Sequence, residues 1–319
     1  MSATAVQARP SSRSTRVLAA VLVLIGLPVA LVLFEAVSFR VRNRNNGSFV
    51  SSGERREYLL YVPKRYDRAR PTPLVISMHG AGLWGAAQRD ISQWNEVAES
   101  DGLIVVYPSG VKGRGPRIWR ADDAAELTRD VTFISQLIDS LSATYNIDAT
   151  RIYADGLSNG GGMAFVLSCT LSDRIAAVGL VASAQLLPWE SCTDRRAVPM
   201  IAFHGTADNA APYNGGRSWV APNPFPNIRT WTAKWARRNR CRAIPVESAI
   251  TADVTRRAFT DCAHDADVVL YTVQDGGHTW PGGGPLPAWF VGRTSDGVDA
   301  TRVMWAFFRE HPLQRQEVR

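Results

Sequence analysis

The chain of 319 residues carries a formal net charge of +7, with 45% hydrophobic and 20% charged residues. That balance describes a folded globular protein and excludes a disordered one. Residues 1–56 hold eight Arg against Glu35 and Glu54, which accounts for +6, so the rest of the chain is nearly neutral; a neutral body lacks the basic footprint that phosphate backbones require, which excludes a broad nucleic-acid surface.

In chain order, residues 1–16 form a basic tail. Val17 to Phe34 follow as an unbroken apolar run of 18 residues with Arg on both flanks. A helix needs about 20 apolar residues to cross a bilayer, whereas a secretory leader has a shorter core, about 7 to 15 residues, before a small-residue cleavage site. Ala36-Val37-Ser38 is a passable site of that kind. The segment 17–37 is therefore expected to be an N-terminal hydrophobic helix, either an uncleaved signal anchor or a cleaved signal peptide. Residues 38–54, rich in Arg, Asn, Ser and Gly, read as a linker. One domain is expected over 55–319, a length that supports a sizeable core.

Within it, short β-type runs alternate with helical patterns. Strands are expected at Glu57 to Val62, Leu74 to Met78, Leu103 to Tyr107, Arg151 to Ala154, Ala177 to Ala182, Met200 to Phe203 and Val268 to Val273. Several are continuous apolar runs, as strands buried on both faces of a parallel sheet must be. Val131, Ile134, Ile138, Leu141 and Tyr145 recur at helical spacing, and a last helix runs from about Ala300 to Arg309, closed by His311-Pro312. The succession predicts an α/β fold: a mostly parallel, doubly wound sheet with helices on both faces.

Four cysteines, Cys169, Cys192, Cys241 and Cys262, show no CxxC pair and no neighbouring His at zinc-ligand spacing. In an exported domain they are expected to form two disulfides. Four cysteines allow three connectivities, of which Cys169 with Cys192 and Cys241 with Cys262 is favoured because each closes a short loop.

Chemistry concentrates at Gly156-Leu157-Ser158-Asn159-Gly160, a GxSxG pattern directly after a buried strand and before a helical stretch. That context is what the nucleophile elbow of an α/β-hydrolase requires, with Ser158 on a sharp turn. A serine hydroxyl needs a base, itself oriented by a carboxylate, and in this fold the acid and then the His follow the serine along the chain. Strand 200–203 runs into Asp208, and strand 268–273 runs into His278, so both arrive at the sheet edge where such folds bind ligands. Asp155 precedes the turn and is expected beneath it. His79, His204, His264 and His311 are expected to be structural. Negative charge on the substrate oxygen needs backbone N–H donors. Asn159 is expected to supply one and Ala81 the other, with Gly82 as the alternative in the loop after Leu74 to Met78. Trp280, two residues past His278, is expected either to border the substrate pocket or to pack in the core. Trp219 and Phe225, in the Pro-rich segment 214–227, are candidates for the cleft wall or a surface loop.

The motifs LVISMHGAG, WNEVAESDGLIVVYP, DVTFISQLID, GLSNGGGMA, HGTAD with Pro212-Tyr213, and GGHTWPGG resemble the polyhydroxybutyrate depolymerase-like esterases, a group similar to feruloyl and acetylxylan esterases of the α/β-hydrolase fold. The resemblance runs from about Arg56 to the end. It implies a Ser158, Asp208, His278 triad and supports the Cys241 with Cys262 bridge. One departure is HGAG, where many relatives have a cysteine after HisGly. The expected function is a serine esterase outside the cytoplasm, secreted or tethered to the membrane by its N-terminal segment, that cleaves small or oligomeric carboxylic esters through an acyl-enzyme. No metal and no organic cofactor is expected. With the chain ending at Arg319, soon after its last apolar helix, a soluble ester is favoured over solid polymer. An acyltransferase using the same residues, and a non-catalytic binding protein on the same fold, are the competing classes.

Overall fold

A computed structural model of the chain describes residues 37–38, 41 and 43–314, apart from 113–114, 121–123, 186, 222 and 285. The apolar run from Val17 to Phe34 lies outside the described residues, as do the basic tail before it and the last five residues. Among the described residues no helix is long and apolar enough to cross a membrane.

From Asn45 onward the chain builds one ten-stranded sheet. Its first strands are β1 (Gly47–Ser51), β2 (Glu54–Tyr61), β3 (Thr72–Met78) and β4 (Ile104–Pro108). After a two-stranded ribbon of β5 (Val111–Lys112) and β6 (Arg117–Ile118) come β7 (Ile147–Leu157), β8 (Val178–Val181) and β9 (Met200–Gly205). The last strands are β10 (Val246–Ala249), β11 (Val254–Phe259) and β12 (Val268–Val273). The order across the sheet is β1-β2-β4-β3-β7-β8-β9-β12-β11-β10. The six central strands, β4 to β12 in that order, run parallel, and an antiparallel pair flanks each side.

Seven helices are described: α1 (Gly85–Ser92), α2 (Trp94–Asp101), α3 (Ala124–Thr144), α4 (Asn159–Thr170), α5 (Ile228–Arg238), α6 (Ala288–Val291) and α7 (Ala300–Glu310). The two-residue side-chain period of β3 explains how they cover the sheet: Leu74, Ile76 and Met78 face a core shared with α3, α4 and α5, while Val75 faces one shared with α1, α2 and α7. All four side chains are fully buried, each worth about 1.5–3 kcal/mol relative to exposure. In α3, Ile134, Ile138 and Leu141 are buried as their spacing predicts, with Val131 and Tyr145 partly buried at the margin.

Three segments depart from the sequence expectation. The linker expected over 38–54 contains β1, which pairs with β2 through a two-residue loop in which Ser52 and Gly53 both have positive φ, 49° and 77°. That is the backbone a tight hairpin prefers, so the polar Ser-Ser-Gly that reads as linker is the turn itself. β10 and β11 fall where no strand is expected. All four residues of β10 are exposed, and β11 carries Arg256 and Arg257, so neither shows the apolar run that marks the sheet centre. The disulfides follow the favoured pairing, Cys169–Cys192 and Cys241–Cys262. The first ties the end of α4 to the loop after β8, and the second ties the chain beyond α5 to the loop between β11 and β12.

Candidate active site

Ser158 stands between β7 and α4 with φ 55° and ψ −120°, a conformation that L-residues avoid and that persists only when its surroundings enforce it. Its N–H donates to the Val181 carbonyl at 2.9 Å, and its own carbonyl accepts from the Gly162 N–H at 3.0 Å and the Ser183 hydroxyl at 2.7 Å. The glycines of the motif are steric necessities. A Cβ on Gly156 would stand 2.2 Å from the Gly160 carbonyl carbon, and one on Gly160 would stand 2.2 Å from the Met78 oxygen. The strand before the turn and the helix after it therefore pass at backbone contact, and the Ser158 side chain is left facing a cavity.

Asp208 lies beyond the end of β9, and His278 lies beyond the end of β12. The neighbouring register of these two strands brings the loops together, and glycine removes what would hold them apart: a Cβ on Gly205 would fall 2.1 Å from the Gly276 oxygen. The two oxygens of Asp208 then do different things. Oδ1 accepts the N–H groups of Ala210 and Ala211 at 2.9 and 2.7 Å, the turn-forming habit of Asp, while Oδ2 meets His278 Nδ1 at 2.8 Å. Burial alone raises the Asp208 carboxyl. The hydrogen bond and charge of His278, the charge of His204 and the Ala211 amide outweigh it and bring the group below its ordinary value. An ionised Asp208 can only accept, so Nδ1 carries a proton, and in the neutral imidazole this leaves the lone pair on Nε2. His278 also borders the cavity.

Three of the other histidines are fixed by backbone. His79 is buried; its Nε2 accepts from the Gly110 N–H at 3.0 Å, so Nδ1 donates to the Gly80 carbonyl at 2.7 Å, and burial brings its pKa down to about 4. His204 Nε2 donates to the Ala211 carbonyl at 2.7 Å, and His311 Nδ1 donates to the Phe307 carbonyl at 2.7 Å. Among the described residues, no group of three or more His, Cys, Asp or Glu side chains is arranged to hold a metal ion.

Asn159 and the loop after β3 line the same cavity as Ser158. Asn159 is the first residue of α4, so its N–H has no acceptor inside the helix. In the loop after β3, the Gly82 N–H donates to the Arg117 carbonyl at 2.8 Å and the Leu83 N–H to Gly80 at 3.2 Å. Ala81 and Gly82 both line the cavity, and of the two it is the Gly82 N–H that already has a backbone acceptor. Trp119, to which the sequence drew no attention, joins Asn159 to the end of β3. Its backbone N–H and carbonyl clasp the Asn159 side chain at 2.6 and 3.0 Å, and its indole donates to the His79 carbonyl at 3.0 Å. Nothing in the periodicity around residue 119 signals this, because the contact joins residues 40 apart.

The cavity has a volume of about 1040 Å³ and mostly apolar walls that include Trp219, Phe225 and Phe290. Both cleft candidates, Trp219 and Phe225, thus lie along it. Trp280 does not. It is buried in the core beside α7, with its indole donating to the Thr301 hydroxyl at 2.9 Å. The chain turns back over its ring at Gly283, whose Cβ would stand 2.8 Å from it, so of the two expected roles core packing is the one observed.

Asp155 is fully buried beneath the turn. Its Oδ1 accepts from the Ser77 hydroxyl at 2.6 Å, and that hydroxyl accepts from Gln88 Nε2 at 3.0 Å. Burial pushes the carboxyl up to about 8 from 3.8, against the Ser77 and Trp94 contacts. The folded state therefore holds a proton that the unfolded chain releases near 3.8. The stability from this group is fully present below that pH and is lost as pH rises toward 8. Asp155→Asn, which imitates the protonated acid, is expected to gain stability relative to wild type across this window. The gain is up to about 5 kcal/mol, read by urea unfolding at the two ends of the range; a constant difference between the two proteins contradicts it.

Comparison with known proteins bears on this geometry. Residues 56–210 match the model of the family described as Esterase PHB depolymerase. The chain is 30% identical over 233 residues to feruloyl esterase B of Piromyces equi, covering 70% of this chain and 42% of that protein. It is 31% identical over 161 residues to a bifunctional acetylxylan esterase/xylanase of Neocallimastix patriciarum, covering 50% of this chain and 22% of that protein. The chain thus spans less than half the length of both curated relatives. Among solved structures, an acetyl xylan esterase from Aspergillus awamori superimposes with a TM-score of 0.55 at 16% identity, over 70% of this chain and 89% of its own. Residues 56–210 are thus similar to the Esterase PHB depolymerase family, and the chain carries them on an α/β-hydrolase fold.

Proposed function

We propose that the protein is a serine esterase that hydrolyses carboxylic esters. The observation that carries this reading is the 2.8 Å contact of Asp208 Oδ2 with His278 Nδ1, across 70 residues, beside a cavity that also holds the strained Ser158. Ser158 Oγ attacks the ester carbonyl while His278 Nε2 takes its proton. The negative oxygen is met by the N–H groups of Asn159 and Ala81. His278 returns the proton to the leaving alcohol, which leaves Ser158 acylated; water repeats the cycle and releases the acid. Asp208 holds the imidazole in the tautomer the first step needs and stabilises the imidazolium it becomes. The names of the relatives favour feruloyl or acetyl esters, and the apolar walls suit either acyl group. A place outside the cytoplasm is favoured by the two disulfides and by the apolar run flanked with Arg near the N-terminus. Wild-type protein is expected to hydrolyse p-nitrophenyl acetate and butyrate and to be labelled at Ser158 by a fluorophosphonate, seen as a mass shift on its peptide. Absence of both hydrolysis and label contradicts the reading.

A further inference from the structure

We propose that Trp219, Phe290 and Trp289 form a platform on the rim of the cavity that carries the aliphatic arm of an ester too long for the cavity alone; the proposal rests on the esterase reading above. The three rings follow one another at centroid distances of 5.6 and 5.7 Å. They are exposed at 66%, 51% and 88%, and Val220 beside them at 41%. Contiguous apolar surface of this kind on a folded domain marks a binding site more often than chance exposure. It is continuous with the site already described, because Trp219, Val220 and Phe290 also line the cavity, whereas Trp289 lies beyond it.

The chemistry of the rim selects the occupant. From 286 to 291 the sequence is Leu-Pro-Ala-Trp-Phe-Val, whose one side-chain hydrogen-bonding group is the Trp289 indole N–H. The Ser218 hydroxyl beside Trp219 is already committed to the Ala210 carbonyl. A sugar turned toward these rings would find almost no side-chain hydrogen-bond partner among them, whereas an alkyl chain buries apolar surface along its whole length. The platform is also held in place: the Val291 carbonyl at the end of α6 accepts the His278 N–H at 2.6 Å. The helix that carries Phe290 and Trp289 is thus tied to the backbone of His278. A cavity of about 1040 Å³ is at the upper end for small ligands, so a short ester is held without reaching Trp289.

The test compares p-nitrophenyl acetate with p-nitrophenyl dodecanoate, both at monomeric concentration, for the full-length wild type, Trp289→Ala and Trp289→Phe. An exposed ring can be removed without loss of folding. Trp289→Ala is expected to lower kcat/KM about tenfold for the dodecanoate, through KM, and to change it less than about twofold for the acetate. Trp289→Phe is expected to retain most of the long-chain rate. An unchanged ratio of the two rates in Trp289→Ala overturns the platform and leaves the esterase reading standing. Wild type inactive on both esters removes that reading and the platform with it. If wild type sediments with phosphatidylcholine vesicles, Trp289→Ala does not, and the ester ratio is unchanged, the rings contact a membrane and the platform is overturned.

Discussion

Ser158→Ala is expected to reduce kcat for p-nitrophenyl acetate by about 10⁴- to 10⁶-fold while KM stays within a few-fold. Removing Oγ removes the nucleophile, and no other hydroxyl takes its place. Ser183, the nearest alternative bordering the cavity, donates its hydroxyl to the Ser158 carbonyl at 2.7 Å and is held there. What survives is the cavity and the two amides, which still bind the ester and favour attack by water. Alanine at the same strained φ is no worse than serine, so the variant should unfold at the wild-type temperature. That equality separates a chemical loss from a structural one; kcat within tenfold of wild type would refute the assignment of Ser158.

Asp208→Asn is expected to cost about 10⁴-fold in kcat for the same ester, with substrate binding preserved. The two amides of Ala210 and Ala211 need an oxygen at Oδ1, so the carboxamide introduced by the substitution is forced to place its NH₂ where Oδ2 met His278. The imidazole must then accept at Nδ1, its proton moves to Nε2, and the nitrogen proposed to take the Ser158 proton loses its lone pair. Steady-state rates check the magnitude. The imidazole ¹⁵N spectrum of His278 checks the cause, since the tautomer is expected to invert; a rate loss without inversion would assign Asp208 a different role.

The placement of Ser158, Asp208 and His278 is legible in the sequence for a physical reason. Each follows an apolar strand at the centre of a parallel sheet, where burial on both faces writes a continuous hydrophobic run, and the chain order of the strands fixes which ends converge. Which contacts Asp208 makes is not legible in one dimension: one oxygen accepts the turn amides and the other meets His278. Trp280 shows another limit. Its closeness to His278 in sequence suggests the pocket, but the fold back at Gly283 carries its ring into the core. That the Gly82 N–H is taken by the Arg117 carbonyl could not be read in advance, because the ribbon that supplies it is too short and polar to have a period. Trp119 escapes for the same reason. The flanking strands β1, β10 and β11 escape because none is a continuous apolar run: β1 alternates exposed and partly buried residues, β10 is exposed throughout, and β11 carries Arg256 and Arg257.

The hydrogen bond from the His278 N–H to the Val291 carbonyl has a practical corollary for anyone redesigning substrate preference. Segment 286–291 is the natural target for grafting, since it faces the cavity and carries two exposed rings. Its last residue is also a strut for the base, and a Cβ on Gly277 would stand 2.1 Å from that same carbonyl oxygen. A transplanted loop that shifts residue 291 by even part of an ångström would therefore detune the imidazole, and libraries that vary 286–290 while keeping Val291 and Gly292 should separate selectivity from turnover.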